Sequence, residues 1–110
     1  MTTLKAHQAW LVKFYQQRQW YQYSPFIRLN FLTEEVGELS RAIRALEIGR
    51  DHPGESTPSQ ADLNANLEEE LADVLDQVLI MSSKFKLDPE QLLQASEQKL
   101  TQRFKDQAGD

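Results

Sequence analysis

The sequence predicts an all-α fold, a bundle of four to five helices assembled as a homo-oligomer. Three observations carry that reading. Apolar residues recur at steps of three and four through most of the chain, the period of a helix face. Helix start signals stand where those stripes begin, at Ser24-Pro25 and at Asp88-Pro89-Glu90-Gln91. No segment alternates apolar and polar residues for long enough to be a strand. The oligomer follows from size: a helical chain of 110 residues has a modest core and gains by pairing with a copy of itself.

The first helix is expected over about residues 3–19, with Leu4, Leu11, Phe14 and Tyr15 on one side and Lys5, Lys13, Gln16 and Gln17 elsewhere. Trp20, Tyr21 and Tyr23 form an aromatic stretch after it. A second helix runs from Pro25 to about Ile48, roughly 35 Å long. Its stripe is Leu29, Leu32, Val36, Leu39, Ile43 and Leu46, and Gly49 is placed to terminate it. Residues 49 to about 65 read as a loop, with Gly49, Pro53, Gly54 and Pro58. A third helix begins either at the capping-box pattern Thr57-Pro58-Ser59-Gln60 or nearer Asn66, and carries Leu67, Leu71, Val74, Leu75, Val78 and Phe85. A fourth runs from Pro89 to about Lys105. The whole chain, 1–110, reads as a single domain.

Composition narrows the function. Forty per cent hydrophobic and 26% charged residues describe a globular chain. The absence of cysteine removes disulfides, thiolate metal sites and cysteine nucleophiles, and fits a cytoplasmic location. The first apolar residues alternate with Lys5, His7 and Lys13, unlike a signal peptide, and no apolar run approaches a membrane span. A formal charge of −5 argues against a nucleic-acid-binding surface, but admits a small anionic substrate if a cation stands between.

The informative feature is an internal repeat. Leu32-Thr33-Glu34-Glu35-Val36-Gly37-Glu38-Leu39 matches Leu67-Glu68-Glu69-Glu70-Leu71-Ala72-Asp73-Val74 as apolar, x, acid, acid, apolar, small, acid, apolar. At about 100° per residue, Glu35 and Glu38 lie about 60° and 120° from Leu32, and Glu70 and Asp73 repeat those offsets from Leu67. If the two helices pack antiparallel through their stripes, four carboxylates converge. Ionised together they repel, and a divalent cation relieves the repulsion. Ligands that are all oxygen suit Mg²⁺, Mn²⁺ or Ca²⁺ rather than zinc. One Glu-x-x-Glu edge alone is ordinarily a solvated face. The second copy, at the same offset from its own stripe, favours a carboxylate-lined Mg²⁺ site suited to phosphate chemistry.

These residues, with their apolar context over 31–42 and 67–79, resemble the MazG-like nucleotide pyrophosphohydrolases of the all-α NTP pyrophosphatase superfamily. The resemblance extends over about 10–104. It implies an enzyme that hydrolyses (deoxy)nucleoside triphosphates to the monophosphate and pyrophosphate, in nucleotide-pool house-cleaning. It implies Glu35, Glu38, Glu70 and Asp73 as Mg²⁺ ligands, with Mn²⁺ as a substitute, and active sites close to a subunit interface in a homodimer or homotetramer. Glu34 and Glu38 are candidates for positioning the attacking water. Trp20 resembles the aromatic that stacks on the base in dCTPase-like relatives, or else is a core or interface aromatic. Lys99 and Arg103, one turn apart, either reach the phosphates, since arginine forks onto their oxygens, or form an ordinary basic pair near a helix C-terminus.

Other residues are assigned more plainly. Trp10 and Phe14 are expected in the core or at an interface, and His7 and His52 at the surface. Neither acidic motif contains a histidine, against a ferritin-like di-iron site. Asp76, one turn past the second motif, either adds a ligand or faces water. Gly37 costs about 1 kcal/mol inside a helix and suggests close approach of a neighbouring helix or of the metal and phosphates. Two alternatives share these features: a phosphoribosyl-ATP pyrophosphohydrolase, and a non-catalytic helical oligomerisation module.

Overall fold

A computed structural model of the chain describes residues 3–49 and 58–105. Those residues form four helices and no strand: α1 (Leu4–Gln17), α2 (Pro25–Glu47), α3 (Gln60–Lys84) and α4 (Pro89–Arg103). Each start is capped as the residue types require. Thr3 Oγ1 accepts from the Ala6 N–H at 3.0 Å, and Ser24 Oγ from Ile27 with Pro25 in the first turn. Asp88 and Gln91 form the expected reciprocal capping box, at 3.0 and 2.8 Å. α3 begins within the first of the two expected start patterns, not near Asn66. Its cap is Ser59, which accepts from Asp62 at 3.1 Å. Residues 60–65, read as loop, are therefore helical, while Thr57 lies outside the described residues.

The helix ends hold a surprise. Gly49 terminates α2 as expected, with φ +99° and its N–H bonded to Ala45 O. α1 and α3 end in Schellman motifs whose left-handed positions are filled by Gln19 (φ 63°) and Lys86 (φ 62°). Their bonds run from Trp20 to Tyr15 and Gln19 to Gln16, and from Leu87 to Ser82 and Lys86 to Ser83. The first motif folds the aromatic stretch back beneath the last turn of α1.

α2 and α3 share the most extensive contact. They run antiparallel. Arg28 meets Gln77, and seven residues further along each helix, in opposite senses, Glu35 meets Glu70. The apolar stripe read from the α2 sequence divides in two. Leu32, Leu39 and Leu46 are half-buried with Ala42 fully buried, while Leu29, Val36 and Ile43 are exposed. α3 divides the same way: Leu67 and Val74 turn inward, and Leu71, Leu75 and Val78 outward.

The buried core is Leu11, Leu79 and Ile80, flanked by Val12, Tyr15 and Tyr21. Gln8 fastens α1 to it. Its amide donates to Leu79 O, Ser82 Oγ and Leu87 O, at 3.0, 2.8 and 3.2 Å. α4 packs chiefly on α1. Trp10, expected in the core or at an interface, is 57% exposed and stacks on His7 and Phe14. Gly37 stands open: among the described residues, its own helix apart, nothing lies within 4 Å of a Cβ added there, so no other helix of this chain packs closely on it. The radius of gyration is 17.7 Å, against about 13 Å for a compact domain of this length. Among the described residues no helix is long and apolar enough to cross a membrane.

Candidate functional site

The α2–α3 groove has an acidic end. Glu35 comes from the inward line of α2, and Glu70 and Asp73 from the inward line of α3. One carboxylate oxygen of each lies within 4.8 Å of the other two. All three are half-buried. The carboxyl of Glu35 is pushed above its ordinary range by burial first, then by Asp73, Glu70, Glu38 and Glu34. That of Glu70 rises by burial, then by Asp73, Glu38 and Glu69. That of Asp73 rises by burial, then by Glu69 and Asp76. Glu70 Oε2 is buried without a hydrogen-bond partner. A buried, unsatisfied anionic oxygen among like charges is unstable by itself, and a hard divalent cation supplies what this donor set lacks.

Glu38 and Glu34 stand exposed on α2, near enough to perturb Glu35 but outside the close cluster. Asp76 takes the partly water-facing role. Its Oδ1 pairs with His7 Nε2 at 2.8 Å, with both side chains more than a quarter exposed. His52 lies outside the described residues. Lys99 and Arg103 are exposed on α4, and among the described residues no hydrogen bond or ion pair joins them to the acids.

Two helical turns from Glu35, about 10 Å along the groove, lies an aromatic end. A cavity of about 290 Å³ is lined by Tyr15, Trp20, Tyr23, Arg28, Phe31 and Gln77. Trp20 meets the Tyr15 ring edge-on at 5.5 Å and remains 43% exposed. The Arg28 guanidinium lies 4.6, 5.3 and 5.6 Å from the centroids of Phe31, Tyr15 and Tyr23. Its Nη1 donates to Gln77 Oε1, and Gln77 Nε2 donates to Tyr15 Oη, both at 3.3 Å. Of these residues only Trp20 was singled out from sequence. The available signal was position: Arg28 and Gln77 fall on the inward lines, seven residues from Glu35 and Glu70.

The acidic cluster, whose donors fit a cation, stands on the paired helices that carry the repeated motif. A family model for the MazG nucleotide pyrophosphohydrolase domain matches residues 26–107. The chain belongs to the MazG nucleotide pyrophosphohydrolase family. As a MazG domain it is a metal-dependent pyrophosphohydrolase at family level, and Glu35, Glu70 and Asp73 supply an acidic cluster that fits a metal. It is 45% identical over 95 residues to the uncharacterised protein YvdC of Bacillus subtilis, covering 86% of this chain and 90% of that one. The crystal structure of YPJD from Bacillus subtilis, a provisionally assigned pyrophosphatase, superposes with a TM-score of 0.66. The match covers 100% of this chain and 98% of that one at 24% identity, so it bears on the fold alone.

Proposed function

We propose that this MazG domain hydrolyses nucleoside and deoxynucleoside triphosphates between the α and β phosphates. The products are the monophosphate and pyrophosphate, and the role is removal of surplus or damaged nucleotides in the cytoplasm. One observation carries the reading. A groove on two antiparallel helices offers a cation-seeking acidic cluster at one point and an aromatic cavity about 10 Å away. That separation suits a base at one end and a phosphate chain at the other.

Glu35, Glu70 and Asp73, with Glu38 one turn on, would hold Mg²⁺, or Mn²⁺ in its place. When bound, the cation neutralises the triphosphate and assists the leaving group. Trp20 offers its exposed ring to the base. Glu34 and Glu38, exposed beside the cluster, would accept a hydrogen bond from water and orient it towards phosphorus. Lys99 and Arg103 are the proposed phosphate contacts.

The working unit is a homodimer or homotetramer, with neither nucleic acid nor membrane as partner. Leu29, Val36 and Ile43 on α2 and Leu71, Leu75 and Val78 on α3 support it: they form an exposed apolar face on a chain with a large radius of gyration. Sedimentation of the purified chain measures that state.

The deciding experiment is a hydrolysis assay across canonical and modified (d)NTPs and phosphoribosyl-ATP, with Mg²⁺ present or chelated. Pyrophosphate and orthophosphate are quantified separately. Pyrophosphate in step with monophosphate, lost on chelation, is the expected result. Turnover of phosphoribosyl-ATP alone would transfer the chain to that activity. No turnover by folded, Mg²⁺-loaded protein would favour a non-catalytic helical module.

A further inference from the structure

Arg28 is the anomaly of the groove. It is 4% exposed, among the most buried side chains of the structure. Burying a guanidinium is costly unless a carboxylate or several acceptors receive its hydrogen bonds. Among the described residues no carboxylate lies within ion-pair distance of it. Of its five N–H donors, one on Nη1 reaches Gln77, and the Nε–H is buried with no partner at all. A second cation deepens the imbalance. Lys84, whose Nζ donates to Tyr21 O, has its ammonium pKa lowered by burial and then by Arg28.

Gln77 can take at most one more of the remaining donors. Its Oε1 already accepts from Arg28, and its Nε2 donates to Tyr15. The cavity therefore presents unpaired guanidinium donors framed by flat rings, with no carboxylate among its lining residues. A flat heterocycle whose rim carries acceptors satisfies both halves of that description. A bare anion would satisfy the donors but leave the rings without a partner.

We infer that Arg28 selects the base, presenting its unpaired guanidinium donors to two adjacent acceptors on the rim of the ring. The inference rests on the triphosphate reading of the neighbouring acidic cluster. Two kinds of natural base offer such an edge: the 6-oxopurines through O6 and N7, and cytosine through O2 and N3. Adenine places an amino donor beside N7, and uracil and thymine place an N–H between their carbonyls, so neither meets the fork. Discrimination arises chiefly by leaving donors unpaired with the wrong base, which is the stronger form of selectivity.

The test uses the full chain with Mg²⁺. Values of kcat/KM are measured for dGTP, dITP, 7-deaza-dGTP, dCTP, dATP and dTTP, in wild type, Arg28→Met and Arg28→Lys. Binding of the matching monophosphates is followed in parallel by fluorescence of the tryptophans, so that base reading is seen even without hydrolysis. The wild type is expected to favour dGTP and dITP, or dCTP, over dATP and dTTP by roughly tenfold or more. Loss of that preference with 7-deaza-dGTP assigns the O6/N7 edge, and a preference for dCTP assigns O2/N3. Arg28→Met should fall at least fivefold further on the favoured bases than on dATP, and Arg28→Lys, a charge without a fork, should not restore the difference. A wild type without base preference in both assays overturns the inference, as does a folded Arg28→Met that keeps the preference. Monophosphate binding with the predicted order but no triphosphate turnover would overturn the hydrolysis reading and keep this one.

Discussion

At one end of the α2–α3 groove three carboxylates crowd together with a buried oxygen unsatisfied, and two turns away a guanidinium is buried among rings with a donor unsatisfied. Each end is incomplete in the opposite sense. The acidic end is strained by like charges facing one another across two helices, so its relief must be a cation. The aromatic end holds the Arg28 guanidinium against the faces of Phe31, Tyr15 and Tyr23, so its relief is a set of neutral acceptors. The two deficits are chemically distinct and lie on different stretches of the groove.

The largest effect should come from the acidic end. Glu35→Gln or Glu70→Gln keeps the side-chain shape and removes a ligand charge. Turnover is expected to fall about a hundredfold or more, since a catalytic cation contributes several kcal/mol. The metal-free variant should melt higher than the wild type, because one of the mutually repelling charges is gone. A kinetic assay and a melt with chelator on the same sample check both; unchanged turnover would detach the cluster from the chemistry.

The pH dependence of stability is next. The carboxyl groups of Glu35, Glu70 and Asp73 are all raised in the folded chain. The folded state therefore holds their protons more tightly than the unfolded one. Their contribution is fully present below the ordinary values of 4.5 for Glu and 3.8 for Asp, and is lost as pH rises through the raised folded values. Metal-free protein should lose melting temperature across that rise, and added Mg²⁺ should restore it at neutral pH by binding the folded state. A metal-free melt that climbs through the same window would contradict the sign.

The smallest effect lies outside the groove. Lys86→Gly relieves a left-handed residue and should stabilise the chain by about 1 kcal/mol with turnover unchanged. Chemical denaturation measures it. A loss of activity there would couple the end of α3 to the groove.

Much of this architecture was legible in the sequence. Ser24-Pro25 and the Asp88–Gln91 box were read correctly because side-chain caps are local chemistry. The acidic repeat was legible because matched offsets on two helices survive any packing that brings their stripes together. Packing then separated Glu35 from Glu38, which the offsets alone had treated as a pair. The inward line of α2 runs through Leu32, Glu35, Leu39 and Ala42, so Glu38 is left on the open side. The Schellman ends at Gln19 and Lys86 were hidden because neither position carries the glycine that ordinarily marks them. The cavity was hidden for another reason. Its walls come from α1, the turn after it, α2 and α3, and no periodicity links residues on four segments.

That scattering has a consequence for how such a protein can change over generations. The acids belong to α2 and α3 alone, whereas Tyr15 and Trp20 reach the cavity from α1 and its returning turn, held at their root by the Tyr15 carbonyl and by Gln8. Substitutions in the first helix can reshape what the cavity accepts while the ionic centre stays as it was. Descendants of one such chain can therefore diverge in diet while sharing a single inherited chemistry.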